Sequence, residues 1–248
     1  MRRTDVNHTE DRTMRTPKIV RASEWLEARK TLLAKEKEFS KQRDALAATR
    51  RELPMVAVEK SYEFDGPEGR RSLADLFCGR PQLAVYHFMF DPAWEAGCKS
   101  CSLASESWDG VIPHLAARGT SFAAISRAPL SKLLAFQQRM GWKFPWLSSA
   151  DSEFNFDFCV SFLEGKPNGD LGGYNFSAAG GGKNAEVPGF SVFLKDGDVI
   201  YRGYSTYARG LDTLIHTYNI LDMTPLGRQE EGLPYGMQWV RLHDQYTA

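Results

Sequence analysis

The 248-residue chain carries 42% hydrophobic, 25% charged and 12% aromatic side chains, the make-up of a folded globular protein rather than a disordered, collagenous or disulfide-stapled one. Lys plus Arg balances Asp plus Glu at 31 each, so no overall field draws the chain to nucleic acid or anionic lipid. The longest apolar runs, residues 83–90 and 190–194, fall far short of the roughly 20 residues that span a bilayer, so neither nucleic acid nor membrane is expected as a partner.

Residues 1–21 are charged, lack the apolar stretch of a secretory signal and read as a disordered tail, which makes a cytoplasmic protein with reduced thiols the expectation. From Ser23, a candidate N-cap, to Leu53 before Pro54, good helix formers run without Gly or Pro, predicting one long amphipathic helix over 22–53. Trp25, Leu32, Phe39, Leu46 and Leu53 recur every seven residues. This narrow apolar stripe must pack across its own domain or dock on a second copy as a homodimer, while the charged remainder reads as a solvated face.

After Pro54, short β-rich runs alternate with helical ones over 54–224, the pattern of an α/β unit, and 225–248 form a C-terminal extension packed on that domain or on a partner. Residues 56–64 read as a strand, 72–77 as a helical turn, and the apolar run 82–90 as a central strand covered on both faces. Asp91-Pro92 ends that strand. A short loop leads to Gly97-Cys98-Lys99-Ser100-Cys101 and a helix running to about Arg118, with a kink expected at Pro113. A strand over 120–125 and a helix over 130–140 follow. Residues 151–163 are aromatic-rich and fit either helix or strand, while 165–182 hold seven glycines and read as a loop. Strands at 187–194 and 199–204 flank Asp196-Gly197, a hairpin signal, and a helix over 210–221 closes the pattern.

Four cysteines, Cys78, Cys98, Cys101 and Cys159, are too few and too uneven for a disulfide scaffold. Cys98-x-x-Cys101 reads either as half a zinc site or as a redox dithiol. Zinc wants four ligands in closed sites, and no second Cys-x-x-Cys or His-x-x-x-His follows, so no metal is expected. The pair stands where a buried strand hands over to a helix. There Cys98 meets unpaired backbone N–H groups that favour a thiolate, and Cys101 lies one turn on along the same side, within disulfide reach. Cys98 is therefore the expected nucleophile and Cys101 the resolving thiol, with no cofactor required. Cys78 and Cys159 read as structural, and His87 as a hydrogen-bonded core residue.

Val187-Pro188-Gly189-Phe190, opening an apolar strand before the Asp-Gly hairpin, resembles the thioredoxin superfamily, in which a cis-proline precedes the strand beside the Cys-x-x-Cys. Residues 72–215 resemble its peroxiredoxin-like elaboration in SLADLF, FPWLSSADSEFNFDF and GFSVFLKDGDVIY. EWLEARKTLLAKEKE, VYHFMF, GCKSCS, MGWKFPWLSS, YSTYARGLD and WVRLHDQY, spanning 20–246, are similar to a bacterial family of unknown function described as predicted dithiol-disulfide oxidoreductases. The resemblance implies a thioredoxin-like fold, a central mixed sheet flanked by helices, with the long N-terminal helix and C-terminal extension added. It also implies thiol-disulfide exchange through a redox-active disulfide, a cis bond before Pro188, and a thiol reductant as partner.

If the strands ending near Phe90 and Ile125 are parallel and the hairpin returns antiparallel, residues 91–101, 126–129, 187–188 and 205–209 meet at one end of the sheet, where open α/β sheets bind ligands. Arg127 and Arg209 are then candidates to stabilise the thiolate or hold an anionic group, Lys99 to add positive potential while pointing to solvent, and Trp94 and Tyr207 to wall the site. Two other readings use the same cysteines. A peroxiredoxin-like thiol peroxidase, acting on peroxides, carries Pro-x-x-x-Thr-x-x-Cys, but here Pro92 is six residues before Cys98 and Ala96 stands where the hydroxyl is sought. A soft-metal binder would hold copper or zinc with Cys98, Cys101 and His87, which demands that His87 point out of its strand end.

Overall fold

The computed structural model describes residues 18–169, 171–178 and 181–247, so most of the tail expected over 1–21, residues 1–17, lies outside the described residues. The chain divides into two units, residues 1–52 and 53–248. The first contains helix α1 (Ala22–Arg51), with Arg21 rather than Ser23 in the cap position, because the Glu24 carboxylate accepts the Arg21 backbone N–H at 3.3 Å. Lys30 pairs with Glu27 and Arg29 with Glu36 along it, and the heptad residues Trp25, Leu32, Phe39 and Leu46 are exposed.

The second unit holds an eight-stranded mixed sheet in the order β1-β10-β9-β4-β5-β6-β2-β3. Its strands are β1 (Val56–Ala57), β2 (Glu63–Gly66), β3 (Gly69–Ser72), β4 (Gln82–His87), β5 (Thr120–Ser126), β6 (Trp146–Ser148), β9 (Gly189–Asp196) and β10 (Val199–Tyr207). A separate two-stranded ladder joins β7 (Ser161–Phe162) to β8 (Ala185–Glu186). Parallel pairing of β4 with β5 and β5 with β6, and antiparallel pairing of β4 with β9 and β9 with β10, form the thioredoxin-like core. The helices are α2 (Lys99–Ser105), α3 (Trp108–Ala117), α4 (Leu130–Met140), α5 (Phe154–Asp157) and α6 (His216–Leu221). No described helix is long and apolar enough to cross a membrane.

Several local expectations change. Residues 56–64 are not one strand. β1 pairs with β10, whereas β2 pairs with β6 and β3, because the intervening chain crosses the sheet and buries Tyr62 against Phe154, ring centroids 5.1 Å apart, with its hydroxyl on Asp157. The helix expected from the cysteines to Arg118 breaks between α2 and α3, well before Pro113. Ser102 and Ser105 turn their hydroxyls back onto the Cys98 and Cys101 carbonyls at 2.9 and 2.8 Å, a bond that competes with regular helix geometry. Residues 210–221 divide likewise, into a tight 3-10 segment (Ala208–Leu214) and α6.

Period-two alternation along β4 sorts the core. Ala84, Tyr86 and Phe88 face a cluster containing Cys101, Trp108, Phe136 and Trp146, while Leu83 and Val85 face a second cluster with Phe154, Phe158, Phe193 and Tyr207. Ser126, fully buried at the end of β5, ties the strands that carry the first cluster. Its hydroxyl donates to the Phe88 carbonyl at 2.7 Å and accepts the Trp146 indole N–H at 2.9 Å. Ser126→Ala leaves both groups buried without that partner and should cost about 1–3 kcal/mol. Denaturant titration should therefore give a lower midpoint at unchanged slope.

Candidate functional site

Met89, Ala96, Gly97 and Cys98 carry the chain from β4 into α2. The Cys98 N–H donates to the Met89 carbonyl at 3.0 Å, and Cys98 takes the N-cap position of α2. Gly97 permits this turn. A Cβ there would lie 2.8 Å from the Phe88 ring and 2.9 Å from the Phe136 ring, closer than real contacts allow. The loop is thereby pressed onto the aromatic core and Cys98 is set at the edge of a pocket.

The two cysteines occupy opposite environments. Cys98 is half-buried and Cys101 is only 1% exposed; both are free thiols. The Cys101 thiol is the main influence lowering the Cys98 pKa to about 6; burial opposes it, and the backbone N–H groups of Cys101 and Ser100 assist. Burial pushes the Cys101 thiol well above its ordinary value, and the Cys98 sulfur beside it does the same. The Tyr86 hydroxyl, on the same face of β4, is the hydrogen-bonding partner of Cys101 and acts in the opposite sense, as does the Met89 backbone N–H. One sulfur is thus poised as a thiolate and its neighbour is held as a thiol.

The pocket beside them has a volume of about 440 Å³. Cys98, Cys101, Tyr86 and Pro188 line one side, and Leu211, Ile215, Tyr218 and Met237 the other. The sheet register explains the meeting: His87 is level with Ile125 on one neighbour and with Gly189 on the other, and Gly189 with Tyr207. Pro188 comes to the dithiol, but its peptide bond is trans, as are all described bonds. The expected cis bond is therefore corrected. Trans is the ordinary preference of an X-Pro bond, and in this arrangement the Val187 N–H donates to the Val160 carbonyl at 2.9 Å.

The other candidates divide. Arg209 lines the pocket while pairing with Asp212 at 2.9 Å. Lys99 does not point simply to solvent, for its Nζ lies 3.5 Å from the Gln238 carbonyl. Arg127 does not line the pocket. It is buried between Asp91, 3.1 Å away, and Glu186, 2.9 Å from its Nε, over the Phe156 ring, because a buried guanidinium needs carboxylate partners. Burial pushes Glu186 up to about 7 despite that pairing and a hydrogen bond from Ser161. Trp94 lies outside the pocket on the Asp91 turn, its carbonyl held by Lys132 at 3.0 Å. Tyr207 faces the other side of the sheet, where its hydroxyl donates to the Phe158 carbonyl at 3.1 Å.

His87 also points to that second face, stacked on Phe154 and Phe158 and 2.9 Å from the Ser191 hydroxyl, and burial pushes it down to about 3. The three-ligand set of the soft-metal reading is split by the sheet. Among the described residues no group of three or more His, Cys, Asp or Glu is placed to hold a metal. Tyr86, Tyr218, Glu230 and Met237 were not among the sequence candidates. Strand alternation carries the signal for Tyr86, since a side chain beside an inward His87 must face the helix bearing the cysteines; the other three have no signal short of the tertiary fold.

The chain belongs to the family described as bacterial protein of unknown function (DUF899), whose model matches residues 14–246. No curated protein matches it. Similar solved structures include the peroxidoxin BcpB of Mycobacterium tuberculosis, 16% identical over 68% of this chain and 97% of that one with a TM-score of 0.46. The bacterioferritin comigratory protein of Xanthomonas campestris is 14% identical over 65% and 96%, with a TM-score of 0.41. A hypothetical protein of Sinorhizobium meliloti is 16% identical over 60% and 68%, with a TM-score of 0.35.

Gly97→Ala should destabilise the fold by about 1–3 kcal/mol through overpacking, since two buried rings stand in the way. Thermal unfolding should show the loss, and Cys98 alkylation in the folded variant should depart from the wild-type rate.

Proposed function

We propose that this protein is a dithiol-disulfide oxidoreductase acting through Cys98 and Cys101. The observation that carries the reading is the asymmetry of the pair: a half-buried Cys98 at the edge of a pocket, its pKa lowered to about 6 chiefly by the Cys101 thiol, beside a buried Cys101 whose pKa burial raises. The Cys98 thiolate attacks one sulfur of a substrate disulfide, forming a mixed disulfide and releasing the other sulfur as a thiolate. That bond removes the negative charge from Cys98 and with it one influence that keeps Cys101 protonated. Cys101, its developing charge met by the Tyr86 hydroxyl and the Met89 N–H, then gives its proton to the departing thiolate and attacks the Cys98 sulfur. The substrate leaves reduced by two electrons, the pair is left as a disulfide, and an external thiol reductant returns it to the dithiol. No metal or organic cofactor takes part. The peroxidase reading lacks a hydroxyl at Ala96, which packs on the aromatic core beside the turn.

Alkylation of Cys98 by iodoacetamide should rise with pH around a midpoint near 6 and level off above 7, because the lowered pKa leaves the sulfur mostly thiolate at neutrality. In Cys101→Ala, which removes the neighbouring thiol, the midpoint should move upward. Faster native-state alkylation of Cys78 or Cys159 overturns the assignment of the nucleophile.

Cys101→Ser should stall at the first step and accumulate a mixed disulfide on Cys98 that mass spectrometry identifies, whereas Cys98→Ser should accumulate none. Equal trapping in both variants contradicts the ordered mechanism.

A further inference from the structure

We propose that the substrate of this dithiol is a small organic disulfide with apolar groups beside its sulfurs, and that polypeptide disulfides are excluded. The inference rests on the exchange chemistry above and adds the substrate class. Two independent features carry it.

The first is the backbone next to Pro188. An extended polypeptide seated across a dithiol of this kind needs a strand edge with free N–H and C=O groups, since main-chain pairing supplies much of the affinity of added strands. Here two groups of that edge, one N–H and one carbonyl, already have partners. The Val187 N–H donates to the Val160 carbonyl at 2.9 Å, the Pro188 carbonyl accepts the Tyr174 hydroxyl at 3.1 Å, and the preceding residues Ala185 and Glu186 form β8 against β7.

The second is the wall opposite the cysteines. The segment after α6 runs back across the front of the dithiol and brings Met237 to the pocket. It is fastened at several points. One Glu230 carboxylate oxygen accepts the Tyr218 hydroxyl at 2.6 Å and the Met237 N–H and Trp239 indole N–H at 2.8 Å each, and Arg228 pairs with Asp212 and Asp222 over the Tyr218 ring. Farther on, Val240 and Leu242 are buried, His243 meets Glu106, and Asp244 pairs with Arg139 of α4. The pocket left between this wall and Cys98, about 440 Å³, lies in the range that encloses a small ligand. Leu211, Ile215, Tyr218, Met89 and Met237 offer apolar surface. Arg209 and Arg228 pair with Asp212, and Glu230 accepts from Tyr218, Met237 and Trp239, so these groups already have partners and recognition falls to shape and apolar contact.

In the reaction the Cys98 thiolate forms an S–S bond to the nearer sulfur of R–S–S–R as the substrate S–S bond breaks. Cys101 then displaces the second R–S group, so one disulfide becomes two R–SH and the dithiol becomes a disulfide. A dithiol such as dithiothreitol restores the protein.

The test mixes pre-reduced full-length protein with diethyl disulfide or with insulin in single turnovers, quenches with acid and alkylator, and counts the Cys98-Cys101 disulfide by mass spectrometry. The small disulfide should oxidise the pair at least about tenfold faster than insulin. Met237→Trp, which fills the pocket, should slow the small disulfide by about tenfold or more. Its thiolate absorbance at 240 nm should still titrate as in wild type, establishing that the dithiol is intact. Insulin reacting as fast as the small disulfide, or an unchanged rate in a Met237→Trp variant with that normal titration, overturns the substrate class while leaving thiol-disulfide exchange in place. Should neither compound oxidise the pair, the exchange reading falls and the substrate class with it.

Discussion

Two sulfurs one helical turn apart cannot both be ionised in a buried site, because like charges at such a separation repel strongly where water is scarce. The protein resolves this by unequal burial. Cys98 stands at the turn from β4 into α2, where the Cys101 thiol and two backbone N–H groups favour its charge, and Cys101 lies beneath it in the aromatic core beside Tyr86. Every feature that matters to the site serves this division. Gly97 lets the turn sit against Phe88 and Phe136, and Ser126 joins the chain at Phe88 to Trp146 of β6, whose rings pack together.

The buried arginine has a different place from the one its position in the chain suggests. Arg127 follows the strand end that reaches the site, yet it joins Asp91, from the loop after β4, to Glu186, two residues before Pro188. Those contacts fasten the loop that leads to the cysteines to strand β8, which leads to the proline. A guanidinium buried without carboxylates would be costly, and one paired twice has little charge left to offer a thiolate. Its contribution to the site is positional, through the segments it holds.

The C-terminal extension changes what the dithiol can meet. Without it, the end of the sheet would be an open face; with Tyr218, Glu230, Arg228 and Trp239 fastened together, Met237 closes one side of a pocket. The same end of the sheet has its Pro188 edge occupied by Val160 and Tyr174. Access to Cys98 is thus set from both sides by segments distant in the chain.

The sequence by itself determined the parts that depend on local periodicity and spacing. The long helix after Arg21, the apolar strand at 82–87, helix α4 ending at Gly141 in the left-handed region, the Asp196-Gly197 hairpin and the placing of Cys98 at a helix start are all written in near-neighbour patterns. Antiparallel return of the hairpin also sufficed to bring Pro188 to the cysteines. Beyond the alternation along β4, tertiary structure decided which side chains share the cysteines' face. Tyr207 points to the opposite side of the sheet, Arg127 is drawn to carboxylates on the Asp91 turn and on β8, and residues 56–64 split between different parts of the sheet. It also decided the wall formed by Tyr218, Glu230 and Met237. The physical reason is that burial and pairing energies depend on partners outside the repeating local pattern, at separations such as 7 residues, for Met237 and Glu230, and 49, for Tyr207 and Phe158.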